Sequence, residues 1–153
     1  MKKLLLVLGD STFMGKELIQ DLSQNESYEV HYINRGKNYQ NNAQYICLIK
    51  DTQNICSLFK QQQFNILIRN WEAVIIFSAF CSNQVKSVYA ALNGLYNLYI
   101  FISTDSIYDV CKIKQIPITQ EQDQRKKLTE SQKKGEGQGH KKLKCEISIK
   151  LCN

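Results

Sequence analysis

Residues 3–15, KLLLVLGDSTFMG, decide how this chain is read. KLLLVL at 3–8 is a continuous apolar run that stops at Gly9, the pattern of a strand buried on both faces. Across 13–23 the period becomes helical. Met14, Leu18 and Leu22 recur every four residues, with Lys16, Glu17, Gln20 and Asp21 elsewhere around the turn. This spacing predicts an amphipathic helix with its apolar stripe on those three residues. A strand, a glycine turn and a helix therefore open the chain. The two lysines ahead of the run resemble a leader peptide, but the run is short and Asp10 follows at once, so the segment reads as a strand.

The same alternation continues. YEVHYI at 28–33 is rich in β-formers and stops at Asn34-Arg35-Gly36, and YICLI at 45–49 predicts a short strand before a helix over 52–62. FNILIRNWE at 64–72 fits neither period and receives no assignment. AVIIFSA at 73–79 reads as a buried strand, 83–92 as a helix ended by Asn93-Gly94, and LYIFIS at 98–103 as another buried strand. Alternation at this spacing implies an α/β chain with a doubly wound parallel sheet of about five strands. Residues 1–111 form its core. Residues 112–153 read as a basic surface excursion closed by one more amphipathic helix, on Leu143, Ile147 and Leu151.

At 153 residues, 43% apolar and 22% charged, the chain suits one globular domain able to bury a core. No apolar run approaches the roughly 18 residues of a membrane span. The net charge of +6 is uneven: residues 1–111 hold nine basic against nine acidic side chains, and residues 112–153 eleven against five. Six cysteines without a CxxC pair suggest reduced thiols in the cytoplasm or another reducing compartment. Only two histidines, His31 and His140, argue against a zinc site.

Between the first strand and first helix, Gly9-Asp10-Ser11-Thr12-Phe13-Met14-Gly15 stands where a dinucleotide-binding fold places its phosphate turn. Gly9 permits a tight turn, backbone N–H groups at the helix N-terminus attract phosphate, and Gly15 lets helix approach strand. Thr12 stands where the middle glycine would be, and a strand-to-helix turn without ligand is the alternative. After the second strand, Arg35 favours a 2′-phosphate by charge and donor geometry, so NADP is preferred over NAD. A solvated turn arginine is the equal alternative.

With these pieces placed, LVLGDSTFMGKEL, YEVHYINRGK, AVIIFSAF, YIFISTDSIYDV and GHKKLKCE together make the chain resemble the NAD(P)-dependent epimerase/dehydratase family, the extended short-chain dehydrogenase/reductases. It is similar in particular to an atypical branch with a GGTRFMG-type turn, which includes chloroplast RNA-binding members. The resemblance implies an NAD(P)-binding Rossmann fold in which Gly9, Ser11, Thr12, Phe13, Met14 and Gly15 shape the pyrophosphate site. It implies further that Asn34 and Arg35 face the adenosine ribose, Asp51 the adenine, Ser78, Ala79 and Phe80 the length of the cofactor, and Ser103 and Thr104 the nicotinamide.

The family's chemistry needs a Ser/Thr that orients substrate and a YxxxK pair. Thr104 and Lys142 match the first and last of these, but Gln138 occupies the tyrosine position. A carboxamide does not exchange a proton near neutral pH. All eight tyrosines lie at or before Tyr108, which matches a structural tyrosine of the family. Asp105 reads as a capping residue rather than a catalytic acid. Family members also continue for a comparable span, so the substrate-binding part is expected to be missing.

The expectation is a catalytically degenerate NAD(P)-binding domain, a pseudoenzyme serving as a structural or accessory subunit with protein partners. One alternative is an active NADP-dependent oxidoreductase or epimerase completed by a partner chain. Another is RNA binding through the basic C-terminal quarter, although residues 112–153 hold no Phe, Tyr or Trp on which a base could stack.

Overall fold

A computed structural model of the chain describes residues 1–9, 13–34, 45–48, 69–77, 81–110 and 137–151. Its elements are β1 (Lys3–Leu8), α1 (Phe13–Gln24), β2 (Tyr28–Asn34), β3 (Tyr45–Leu48), β4 (Trp71–Ile76), α2 (Ser82–Leu92), β5 (Tyr96–Phe101), α3 (Ser106–Asp109) and α4 (Gln138–Lys150). The helix expected over 52–62 lies outside the described residues. The chain divides into two compact units, one of Met1–Ser78 with Ser87–Ile102, the other of Ala79–Lys86 with Ser103–Asn153.

The first unit is a five-stranded sheet in the order β3-β2-β1-β4-β5, with every pairing parallel. This is the doubly wound Rossmann arrangement. Its register sets Leu5 between Val30 and Ala73, and Val7 between Tyr32 and Ile75. Those six side chains and Ile19 of α1 form one buried cluster, with Leu18 and Leu22 packed against it. Leu6, Leu8, Ile33, Val74 and Ile76, alternating to the other face, are buried too. A strand covered on both faces has no polar side to alternate with, which is why KLLLVL is apolar throughout. Right-handed crossovers from β1 to β2 and from β4 to β5 run in opposite directions along the sheet, so they place α1 and α2 on opposite faces.

The sheet corrects three expectations. The buried side of α1 is centred on Gly15 and Ile19, and Met14 is exposed. Leu18 and Leu22 of the expected stripe do pack against the cluster of Leu5 and Val7, partly buried, while Ile19 beside them is fully buried. β4 begins at Trp71, inside the stretch that fitted neither period, because the buried indole belongs to the core. β5 is not fully buried: Leu98 is exposed and Tyr96, Tyr99 and Ile100 are half-buried. It closes the sheet order, so among the described strands it is flanked on one side only. Its rings compensate, with Tyr96 and Tyr99 packed against each other and against Tyr89 of α2.

In the second unit α3 packs on α4, with Ile107 and Leu143 buried together and Tyr108 and Val110 against them. The expected stripe of α4 fails here. Leu143 is buried, but Ile147 and Leu151 are exposed, and Gly139, Lys142, Cys145 and Ser148 are buried instead. The reason is the approach at Gly139, where an added Cβ would stand 2.8 Å from the Ser106 carbonyl carbon. Only a glycine allows that contact, and it fixes which side of α4 turns inward.

Candidate functional site

The C-terminal ends of β1, β2 and β4 meet at Gly9. Its φ of 83° lies in the left-handed region, where a side chain is disfavoured. Its N–H donates to the Ile33 carbonyl at 2.9 Å, and the Phe77 N–H donates to the Leu8 carbonyl at 2.9 Å. β2 lies on one side of β1 and β4 on the other, so the strand order reverses here. Open α/β sheets bind ligands in the crevice beyond such a point. The chain next enters α1 at Phe13, and no acidic side chain occupies the first turn to offset the positive end of the helix dipole.

Of the residues expected around this turn, Gly9 stands at the reversal and Gly15 is buried on the sheet side of α1. Phe13, 83% exposed, and Met14 project into solvent. Asn34 is the last residue of β2. Ser11, Thr12, Arg35, Asp51, Ser78, Ala79 and Phe80 lie outside the described residues.

The second unit carries a separate polar group. The Thr104 hydroxyl donates to Asp105 Oδ1 at 3.2 Å and accepts from Ser106 Oγ at 3.1 Å. Asp105 holds the position before α3 but does not cap it. Its backbone is already helical, with φ −62° and ψ −28°, whereas a capping side chain works from extended backbone. Ser103 Oγ is buried with no hydrogen-bond partner among the described residues.

On α4, Lys142 is 3% exposed. Burial lowers its pKa, against the pull of Cys145 and Glu146 on the same helix. Burial likewise pushes the Cys145 thiol up to about 11, so it stays protonated and unreactive at neutral pH. Gln138, one turn before Lys142, is exposed at the start of the helix. Tyr108 packs against Ile107 and Leu143. Among the described residues Cys81 and Cys145 are free thiols, and no cluster of potential metal ligands occurs. No helix there is long and apolar enough to cross a membrane.

One group of residues escaped sequence reading. His31, which looks isolated in sequence, lies 2.6 Å from Glu29 Oε1, and Arg69 reaches both. The signal was available in part, since positions 29 and 31 of one strand share a face. Arg69 is brought in only by the fold.

No family model and no curated protein matches this sequence. Solved structures do match. The chain is similar to dTDP-glucose 4,6-dehydratase of Bacillus anthracis in complex with NAD, at TM-score 0.68 and 15% identity, covering 98% of this chain and 50% of that one. It is similar to the Bordetella bronchiseptica enzyme WbmG in complex with NAD, at TM-score 0.71 and 13% identity, covering 99% and 50%. For UDP-glucose 4-epimerase of Thermotoga maritima with UDP-glucose the values are 0.69 and 16%, covering 97% and 50%. The chain shares their fold and spans about half their length.

Proposed function

We propose that this chain is a nucleotide-binding domain of the NAD(P)-dependent epimerase/dehydratase type that has lost its proton-transfer chemistry and acts as an accessory or structural subunit. The observation that carries the reading is the left-handed Gly9 at the strand-order reversal, leading into a helix whose first turn holds no acid. Two of the similar structures are described as complexes with NAD, which supports a nicotinamide nucleotide as ligand.

The residues present fit such a group. Gly9 leaves room for backbone to approach a pyrophosphate, and the α1 N-terminus favours its charge. Buried Gly15 supports close packing of α1 on the sheet. Arg35 supports a 2′-phosphate, hence NADP over NAD. When bound, a nicotinamide supplies hydride transfer. Thr104 and Lys142 keep the residue types that the family uses to orient substrate and to accompany its tyrosine. A proton donor is lacking where the family places one, because Gln138 is a carboxamide. Folds outlast the sites grafted on them, which favours a retained scaffold.

Calorimetric titration of the purified chain with NADPH and NADH tests the reading. NADPH is expected to bind in the micromolar range and more tightly than NADH. Arg35→Glu should weaken NADPH by at least about tenfold, roughly 1.4 kcal/mol. Gly9→Val, checked by circular dichroism for retained fold, should abolish binding of both. If neither nucleotide binds the intact chain, the cofactor reading falls. Turnover gained on Gln138→Tyr would favour the alternative of an active enzyme, for which the retained Thr104 and Lys142 speak.

A further inference from the structure

The turn that follows β5 carries three polar side chains in succession, Thr104, Asp105 and Ser106. Its backbone is tied into α3. The Ile107 N–H donates to the Thr104 carbonyl at 3.3 Å, and the Tyr108 N–H donates to the Asp105 carbonyl at 3.0 Å. Ile107 is buried against Leu143, and Gly139 packs on the Ser106 carbonyl, so α4 fixes the backbone from which these side chains project. Thr104 and Ser106 are half-buried and Asp105 is exposed.

The hydrogen bonds within this group have a fixed direction. A hydroxyl has a single proton to donate, and its oxygen also accepts, whereas an ionised carboxylate only accepts. The Thr104 hydroxyl gives its proton to Asp105 Oδ1 at 3.2 Å. The 3.1 Å contact with Ser106 Oγ is therefore made by the Ser106 proton. Both hydroxyl protons are engaged inside the group, while lone pairs remain on all three residues. The neighbouring Ser103 Oγ has no hydrogen-bond partner but is sealed from the surface, so its proton is not offered there.

We propose that Asp105 and Ser106 are positioning residues that hold the Thr104 hydroxyl as an acceptor, so that the ligand group it orients is a hydrogen-bond donor, an alcohol and not a carbonyl. This rests on the placing of Thr104 beside substrate in the proposed function. A hydroxyl arriving at this surface meets lone pairs on Thr104 and Asp105 and donates to either. A carbonyl brings only lone pairs of its own, sets them against those of Thr104 and the carboxylate, and makes no hydrogen bond. Polar groups brought together without a shared proton lose bound water and gain nothing in exchange. The class selected is the reduced, hydroxyl-bearing member of an alcohol–carbonyl pair.

Asp105 decides the sign of this selection. Its side chain caps nothing, so its contact with Thr104 is not needed to hold α3. Without the carboxylate the Thr104 proton is free to turn outward, and the same hydroxyl then donates to an incoming carbonyl. Ser106 has the smaller part. Its proton occupies one lone pair of the Thr104 oxygen and so orients the other.

Cyclohexanol and cyclohexanone, alike in size and shape, are the probes. Each is titrated into the intact chain without nucleotide and followed through the amide resonances of residues 103–107 in NMR. Cyclohexanol should bind about fivefold more tightly than cyclohexanone, the effect of one net hydrogen bond. Asp105→Ala, checked by circular dichroism, should bind cyclohexanone more tightly than the wild type does and bring the two probes close to equal. That gain should vanish when Thr104→Val is added to Asp105→Ala, because it depends on the freed Thr104 proton. If Asp105 were only a contact for the alcohol, its removal would weaken cyclohexanol and leave cyclohexanone unchanged. Equal binding of the two probes by the wild type, a preference for cyclohexanone, an unchanged cyclohexanone affinity in Asp105→Ala, or no response to either probe would overturn the assignment of Thr104 as an acceptor. None of these measurements involves NADPH, so failure here leaves the nucleotide titration to decide the proposed cofactor site, and the converse holds as well.

Discussion

Trp71→Ala is expected to cost about 3–5 kcal/mol of folding stability, within reach of the whole margin of a small domain. Trp71 is 1% exposed and is the largest of the fully buried side chains. It opens β4, where its N–H donates to the Leu95 carbonyl at 2.7 Å and ties the entry of that strand to the start of β5. Truncation leaves a cavity under the sheet and removes the edge contact on His31, itself worth about 0.5–1.5 kcal/mol in aromatic pairs. Trp71→Phe keeps most of the volume and should cost about half as much or less. Urea unfolding followed by far-UV circular dichroism measures both, since the Ala variant has no tryptophan left to report. A loss below about 1 kcal/mol would mean that β4 does not begin at a core residue.

The second large effect is expected at Gly139. An alanine Cβ there would meet the Ser106 carbonyl group, with the carbonyl carbon only 2.8 Å away. That neighbour is backbone and cannot swing aside as a side chain would. Alanine gains about 1 kcal/mol of helix propensity over glycine, but overpacking of a tight contact costs about 1–3 kcal/mol and forces α3 and α4 apart. Gly139→Ala should therefore be destabilising despite the better helix former. Gly137 is the control: a Cβ there meets nothing within 4 Å and its φ is −65°. Gly137→Ala should stay within about 1 kcal/mol of wild type. Amide hydrogen exchange of α4 gives the site-specific readout, with faster exchange expected in Gly139→Ala alone. Equal exchange in both variants would remove the close approach as the determinant of α4 packing.

Much of the sheet is legible in residue pattern. KLLLVL and AVII are apolar without interruption because both faces of β1 and β4 are covered, and periodicity together with Gly9 is enough to place strand, turn and helix. What failed on α1 was the exposed end of the stripe and the omission of Ile19, since Leu18 and Leu22 do pack against the core. Met14 and Ile19 are equally compatible with a helical stripe, and only contact with Leu5 and Val7 decides between them. α4 failed for a sharper reason: Leu143, Ile147 and Leu151 make the better apolar row, yet the approach of Gly139 to the α3 backbone outranks them. Hydrophobic pattern carries no record of a backbone-to-backbone distance.

For the site, residue identity alone places a carboxamide, Gln138, four positions before Lys142. No arrangement of the fold turns Gln138 into an acid, and the absence of any tyrosine after Tyr108 was plain in one dimension. The left-handed turn at Gly9 was likewise implied by the one residue type that adopts it freely. Tertiary structure alone decided that the Asp105 carboxylate receives a hydroxyl instead of capping a helix, since backbone angles and not side-chain type determine a cap. It alone brought Arg69 to a carboxylate forty positions away. Local pattern encodes the period of an element and the conformational freedom of a residue. Which side chains come to share a charge depends on strand register and on segments that meet only once the sheet has formed.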